Sequence, residues 1–378
     1  MKATLPIEPL IAALRSAAAV AIRSIKPILG CVRVDVDKSG WSTAATDMEV
    51  KVRTKSSELI QVDEPGSFTV NAARLLKVME GCKDSAVVSL ETEDNRLCIK
   101  VDKARFKLHT DDNEAFPSLF EDKDMEVVSV AKIDAASLLL ALSQTIGAVD
   151  PKTSRLDMAG LHIQVGVSRL EIAGKDGRRL YATTADTVES RRDIHEIFKG
   201  KHNSAIVPTK GVDLMRKMLK GIDGHVSLSI YSTSVKLTLE NETLDVQALE
   251  GKFPNYHEII PNRDKAVASL VVSRQELVAG LRKASLMTTP EYSGVALSVD
   301  HNATASSVDE GKGKAEVTIP NTAFNGHPML ANVNPKFILS AVNNLTEPQV
   351  SLYFYGDRKP VLITGENFKA VVMPMAAK

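Results

Sequence analysis

Cysteine is scarce: Cys31, Cys82 and Cys98 are the only three in 378 residues. Their number is odd, no two form a Cys-x-x-Cys pair and no histidine stands at metal-ligand spacing. This excludes a disulfide framework, a metal site and a redox pair, and leaves buried thiols of a reducing compartment. Long apolar runs are also missing. None approaches the roughly 20 residues that cross a bilayer, and the start Met1-Lys2-Ala3-Thr4-Leu5-Pro6 lacks the charged-then-apolar pattern of an export signal. The expectation is a cytoplasmic protein without a membrane partner. An excess of charge is absent too: 47 basic residues face 47 acidic ones, so only the distribution of charge could argue for nucleic acid. With 44% hydrophobic and 25% charged residues the composition is globular, which rules out disorder as the main state.

Catalytic signatures are equally missing. There is no phosphate-binding Gly-x-x-x-x-Gly-Lys-Ser/Thr loop, no Gly-x-Ser-x-Gly elbow and no His-Glu-x-x-His pair. The histidines are scattered, and His195-Glu196 and His202 sit in a basic looped stretch. The glycines of Asp309-Glu310-Gly311-Lys312-Gly313-Lys314 suit a hairpin tip better than a phosphate cradle. No catalytic residue, cofactor or metal site is expected.

What the chain does contain is a repeat. A length of 378 residues exceeds the roughly 250 at which single cores stop growing, so two or three domains are expected. Val-Ser-Leu occurs at Val88-Ser89-Leu90, Val226-Ser227-Leu228 and Val350-Ser351-Leu352, each after a helix-spaced apolar stretch and before two alternating, strand-like ones. Upstream of each lies Leu, apolar, any, small, Leu: Leu10 to Leu14, Leu138 to Leu142 and Leu277 to Leu281. Leucines four apart place one apolar stripe on a helix, and the small residue permits close approach. The reading is three domains, 1–126, 127–261 and 262–378, each with two helices on antiparallel sheets of about eight strands, an α+β architecture. The boundaries follow Phe116-Pro117, near the acidic stretch Glu121 to Glu126, and Phe253-Pro254.

Charge is segregated. The six helical windows 7–18, 71–83, 134–146, 209–220, 273–286 and 334–344 hold twelve basic residues against five acidic ones, about +7, which leaves about −7 for the rest of the chain. A basic helical face is the footprint of sequence-independent phosphate attraction. On the residues alone, that face is either a phosphate-attracting surface or merely the solvated helix face of a three-domain scaffold.

Lys26-Pro27-Ile28-Leu29-Gly30, Ala45-Thr46-Asp47, Asp176-Gly177-Arg178-Arg179-Leu180, Gly251-Lys252-Phe253-Pro254-Asn255-Tyr256 and Val371-Val372-Met373-Pro374-Met375 give the chain a family likeness. From end to end it resembles the bacterial DNA polymerase III beta subunits, the sliding clamps. The resemblance implies the DNA-clamp fold and a homodimer closed head to tail into a ring around duplex DNA. It also implies a processivity factor with no catalytic role, which docks polymerase, clamp loader and repair proteins through short peptides.

Carried over residue by residue, the resemblance implies a partner-peptide cleft at Met158, Lys175, Gly177, Arg178, Arg179, Leu180, Pro254, Ile259, Asn334, Phe337, Val371, Val372, Met373, Pro374 and Met375. Apolar and methionine side chains suit an adaptable pocket, and Arg179 suits a carbonyl or carboxylate at its rim. Removing Val372 to Lys378 is expected to abolish partner binding and leave assembly intact. DNA contacts are expected from Arg23, Lys26, Arg74, Lys77, Lys152, Arg155, Lys210, Lys217, Arg282 and Lys283. The dimer interface is expected to set Arg74, Phe106 and Leu108 of one chain against Leu286 and Met287 of the other. The chain departs from the family pattern at its Ala376-Ala377-Lys378 end, at Lys175, at Glu258, and at Leu156 and Asp157.

Overall fold

The computed structural model describes residues 1–21, 26–117, 127–192, 203–289, 292–309, 311 and 313–376. Arg23, the Glu121 to Glu126 stretch and the His195 to His202 stretch lie outside the described residues.

Among the described residues the chain passes three times through one order of elements: strand, helix, five strands, helix, three strands. The first pass is β1 (Lys2–Pro6), α1 (Ile7–Val20), β2 (Cys31–Asp37), β3 (Gly40–Thr46), β4 (Val50–Ser56), β5 (Gln61–Glu64), β6 (Gly66–Asn71), α2 (Ala72–Glu80), β7 (Val87–Glu93), β8 (Arg96–Val101) and β9 (Ala104–His109). The second is β10 (Val127–Asp134), α3 (Ala135–Ile146), β11 (Gly160–Val165), β12 (Arg169–Lys175), β13 (Arg179–Asp186), β14 (Glu189–Arg192), β15 (Ser204–Pro208), α4 (Thr209–Met218), β16 (His225–Tyr231), β17 (Ser234–Thr238) and β18 (Glu242–Gln247). The third is β19 (Ala268–Ser273), α5 (Arg274–Ala284), β20 (Val295–Val299), β21 (Ala303–Asp309), β22 (Gly313–Ile319), β23 (Asn321–Gly326), β24 (Met329–Val333), α6 (Pro335–Asn343), β25 (Gln349–Phe354), β26 (Val361–Thr364) and β27 (Phe368–Val372).

Each pass has nine strands where about eight were expected. The strand without a clear sequence signal is the short exposed one, β5, β14 or β23, whose side chains show little apolar alternation. The Val-Ser-Leu triplets fall in β7, β16 and β25, and the paired leucines in α1, α3 and α5. Leu10, Leu14, Leu138, Leu142, Leu277 and Leu281 are all fully buried, each stabilising by roughly 1.5–3 kcal/mol. The small residue between them is a packing requirement: a Cβ on Gly280 would come within 2.4 Å of Ile319.

The chain forms two compact units. One comprises Met1–Asp134, Arg191–Asn203 and Asp213–Ala248; the other comprises Ala135–Ser190, Ser204–Val212 and Leu249–Lys378. In the first, a five-stranded sheet runs β5-β1-β7-β8-β9 and a nine-stranded sheet runs β14-β10-β16-β17-β18-β4-β3-β2-β6, with α1 packed on α2 and over β2, β3 and β4. In the second, a nine-stranded sheet runs β15-β11-β12-β13-β27-β26-β25-β19-β23 and a four-stranded sheet runs β22-β21-β20-β24. There α3 lies over β11 to β13, and α5 packs on α6 and over β19, β21 and β22.

Both nine-stranded sheets join strands of successive passes. Strand β18 pairs antiparallel with β4, and β27 pairs antiparallel with β13. The equivalent strands left over, β9 and β22, are sheet edges.

Candidate functional site

Side chains alternate across a strand, so the nine-stranded sheet of the second unit has two apolar faces. Tyr181, Ala370, Ile363 and Leu352 turn to one core with Leu277, Leu281 and Ile338 of the helices. Their neighbours turn the other way: Leu180 lies opposite Val371, Val371 opposite Leu362, and Leu362 opposite Tyr353. The next row on that face contains Ile206, His162, Ala173, Ala182 and Lys369. The segment from Leu249 to Ile260 covers part of this surface. Phe253 and Tyr256 are buried against Leu180, Val371 and Leu362, and Phe253 stacks on the His162 ring at 4.7 Å.

Around this floor stand most of the residues expected in the cleft. Strands β12 and β13 are joined by a turn in which Gly177 has φ +82°, a conformation that side chains disfavour, with the Met158 Cε close beside it. The turn is held by Asp176, whose Oδ1 accepts from the backbone N–H of Arg178 and Arg179, both at 3.0 Å, and whose Oδ2 accepts from Arg179 Nε at 2.9 Å. The Arg179 guanidinium lies 4.3 Å from the Phe337 ring centroid, and the Tyr181 hydroxyl donates to the Phe337 carbonyl at 2.5 Å. Charge, cation–π contact and hydrogen bond thus fix Arg179 and Phe337 as one platform. Asn334 caps α6, accepting from Lys336 N–H at 3.0 Å and donating to Ser293 Oγ at 3.3 Å.

Beyond β27 the chain continues without further strand or helix. Met373 N–H donates to Arg178 O at 2.8 Å, Met375 N–H to Asn332 O at 2.7 Å, and the Tyr292 hydroxyl to Ala376 O at 3.1 Å. This fastening leaves Met373 exposed by 42% beside half-buried Pro374 and Met375, while Ile259 is exposed by 44%. The result is an apolar surface rich in methionine and flanked by fixed backbone, suited to an extended peptide with apolar side chains.

The comparisons with known proteins agree over the whole length. Family models match residues 1–120 as the N-terminal, 132–255 as the central and 257–376 as the C-terminal domain of the DNA polymerase III beta subunit. The chain belongs to the DNA polymerase III beta subunit family, the sliding clamps. It is 24% identical over 360 residues to the beta sliding clamp of Pseudomonas aeruginosa, covering 93% of each chain. It is similar in fold to the crystal structure of the P. aeruginosa clamp bound to griselimycin, with TM-score 0.91, 22% identity and full coverage of both chains. The Bacillus subtilis clamp matches with TM-score 0.89, 21% identity and the same coverage.

Within this clamp, several expected site residues take different roles. Lys175 does not present its charge to the cleft. It is 6% exposed, its ammonium donates to Asp157 Oδ2 at 2.6 Å, and it lies 5.5 Å from the Phe253 ring centroid. A buried ammonium must keep a carboxylate partner, so Lys175 fastens the Leu156–Met158 turn to β12. Burial opposes ionisation of Asp157, but hydrogen bonds from Lys175 and Arg155 win and hold its carboxyl below the usual range. Leu180 and Val371 are almost fully buried, so they form the floor and not the rim, while Val372, also buried, turns to the opposite core with Ala370 and Tyr181. Phe253, Tyr256 and Leu362 belong to that floor as well. The quoted Gly251 to Tyr256 motif already carried two of them, whereas Leu362 becomes visible only through its register with Val371.

His162 was read as one of the scattered histidines and proves to be part of this core. It is 8% exposed, and its Nδ1 has no hydrogen-bond partner. Burial pushes its pKa down to about 4; the charge of Glu171 opposes this and that of His257 adds to it. The unfolded histidine titrates near 6.5, so between that pH and about 4 the unfolded chain binds the extra proton. The contribution of neutral His162 is complete above pH 6.5 and is lost as pH falls toward 4, by up to about 3 kcal/mol. Urea unfolding followed from pH 7 to pH 4 should show this loss, and His162→Phe should remove it; the same pH slope in the variant would exclude His162 as its source.

Among the residues expected to meet DNA, Arg74 and Lys77 are exposed on α2, Lys217 on α4, and Arg282 and Lys283 on α5. Lys26 and Lys152 are exposed in loops. Arg155 is exposed, but its guanidinium is spent on Asp157, with donor–acceptor distances of 3.0 and 3.2 Å. Lys210 is half-buried, and desolvation lowers its pKa. Two of the helix cations are paired with helix carboxylates already counted in the +7, Arg15 with Glu80 and Arg216 with Asp213. Of the expected dimer residues, Phe106 and Leu108 are half-buried on the edge strand β9, Leu286 is 77% exposed and Met287 is half-buried. No helix among the described residues is long and apolar enough to cross a membrane.

Proposed function

We propose that two copies of the chain close head to tail into a ring around duplex DNA, with no catalytic role, and tether a replicative polymerase in the cytoplasm. The incomplete threefold pattern of strand pairing is the observation that carries this reading. Two of three equivalent seams are made within one chain, β18 to β4 and β27 to β13, and the third pair, β9 and β22, is left as open edges. Unpaired edges of this kind invite another chain, and each copy offers one of either kind.

The pattern also supplies a register. Phe106 occupies in β9 the place of Leu244 in β18 and Ala370 in β27, since each is linked across two strands to the leucine of a Val-Ser-Leu triplet. Those residues face Val52 and Tyr181. The equivalent place in β22 is Ala315, so Phe106 is expected opposite Ala315 of the second copy. Leu286 and Met287, in the turn that packs on β21 and β22, lie near that seam.

The exposed Arg74, Lys77, Lys217, Arg282 and Lys283 supply a diffuse attraction to phosphates that leaves the ring free to slide, because it reads no base. Domains 1–126, 127–261 and 262–378 are the units of that ring. Retention on DNA tests the reading: the loaded protein is expected to stay on nicked circular DNA and to leave within seconds when the circle is cut. The triple variant Lys77→Gln, Lys217→Gln, Lys283→Gln should load or persist several-fold less well and show a shallower salt dependence. Equal retention on circular and linear DNA would refute encirclement.

The groove around Met158, Arg179, Phe337 and Met373 to Met375 is the docking place for short apolar peptides of polymerase, loader and repair proteins. Its apolar floor and fixed rim support this reading.

A further inference from the structure

Beside the peptide groove lies a second concavity of about 380 Å³ whose character is different. Its floor is Leu362, the residue next to Val371 in the apolar row of the sheet, and Ile260 forms part of its wall. The groove residue Ile259 immediately precedes Ile260, so one stretch of chain borders both spaces. The second space, however, is lined by the cations Arg263 and Lys369, with His257 and a single acidic side chain, Asp264.

Arg263 and Lys369 are both exposed, and neither forms an ion pair with a carboxylate among the described residues. The Arg263 guanidinium rests 5.6 Å from the Tyr353 ring centroid, which limits its orientations. Lys369 is placed by the sheet: it lies opposite Ala182 and Thr364, on the same face as Val371 and Leu362. His257 is engaged through Nε2 with Glu171 Oε2 at 3.0 Å. Two positioned cations over an apolar floor, offset by one carboxylate, match an anionic group borne on a hydrophobic chain.

We infer that this concavity takes an acidic side chain flanking the apolar segment of a peptide docked in the groove, with Arg263 and Lys369 holding its carboxylate. The inference rests on the groove being the peptide site. It makes the acidic flank a determinant of which partners the chain prefers, because a neutral flank would leave the two cations unpaired.

Fluorescence anisotropy of two labelled peptides tests it. Both carry the same apolar clamp-binding segment; one is flanked by two glutamates and the other by two glutamines. The glutamate peptide is expected to bind the wild-type chain about tenfold more tightly at 50 mM salt, the scale of one or two charge-assisted contacts. In the double variant Arg263→Gln, Lys369→Gln the two peptides should bind within twofold of each other, with the glutamine peptide unaffected. Equal affinity of both peptides for the wild-type chain, or a preference that survives the double substitution, overturns the inference and leaves the groove standing. Failure of both peptides to bind the wild-type chain removes the groove reading and the inference together.

Discussion

Truncation after Val372, removing Met373 to Lys378, is expected to lower affinity for a polymerase-derived clamp-binding peptide by at least about a hundredfold. Such losses are usual when the anchoring part of an interface is deleted. The melting temperature should stay within about 3 °C, because only three hydrogen bonds are lost, two between backbone groups and one from the Tyr292 hydroxyl, all at the end of the chain. A truncation that also removes Val372 should behave differently. Val372 is fully buried and lies opposite both Arg179 and Val361, so its loss opens the sheet between β13 and β26 and destabilises the unit by about 1–3 kcal/mol. The separation of binding from stability therefore belongs one residue later than the resemblance implied. Anisotropy titrations paired with thermal melts of the two truncations check this; undiminished peptide binding after loss of Met373 to Lys378 would show that the tail is only a fastening of the sheet.

Phe106→Asp combined with Leu108→Asp is expected to convert the protein from a species of twice 40.9 kDa to one of 40.9 kDa in light scattering at micromolar concentration. Both side chains point to the half-buried side of β9, and among the described residues no strand pairs with the open ladder beside them. Burying two carboxylates in a seam costs several kcal/mol, more than the margin of most interfaces of this kind can absorb. The same variant should lose retention on circular DNA entirely, since an open chain cannot encircle it. Peptide binding should be untouched, because every groove residue lies in the other unit. A variant that remains a dimer would place the contact elsewhere than on β9.

How much was legible beforehand differs by kind of residue. The six helices were read to within a few residues at either end because each combines buried leucine or valine spacing with polar faces. The motifs Val371 to Met375 and Asp176 to Leu180, far apart in the chain, are brought side by side, with Met373 N–H bonded to Arg178 O. Leu362 and His162 carried no mark at all: a leucine in a strand and an isolated histidine are ordinary until cross-strand register places them beside Val371 and Phe253. Lys175 misled for a related reason. A lysine next to a turn is usually solvated, and only the approach of Asp157 from another element, at 2.6 Å, shows that it is buried and paired.

By itself the sequence determined the triplication, the helix and strand periodicities, the excess of basic residues on the helices and the lack of catalytic motifs. Each of these is a local or compositional property, set by spacing along the chain. The tertiary structure alone decided which strands of successive passes join, that β9 and β22 are left at sheet edges, which cations are spent on carboxylates, and that Arg263 and Lys369 share one concavity. Those outcomes depend on pairings between residues far apart in the chain, where sheet register and burial, not local preference, set what each side chain meets.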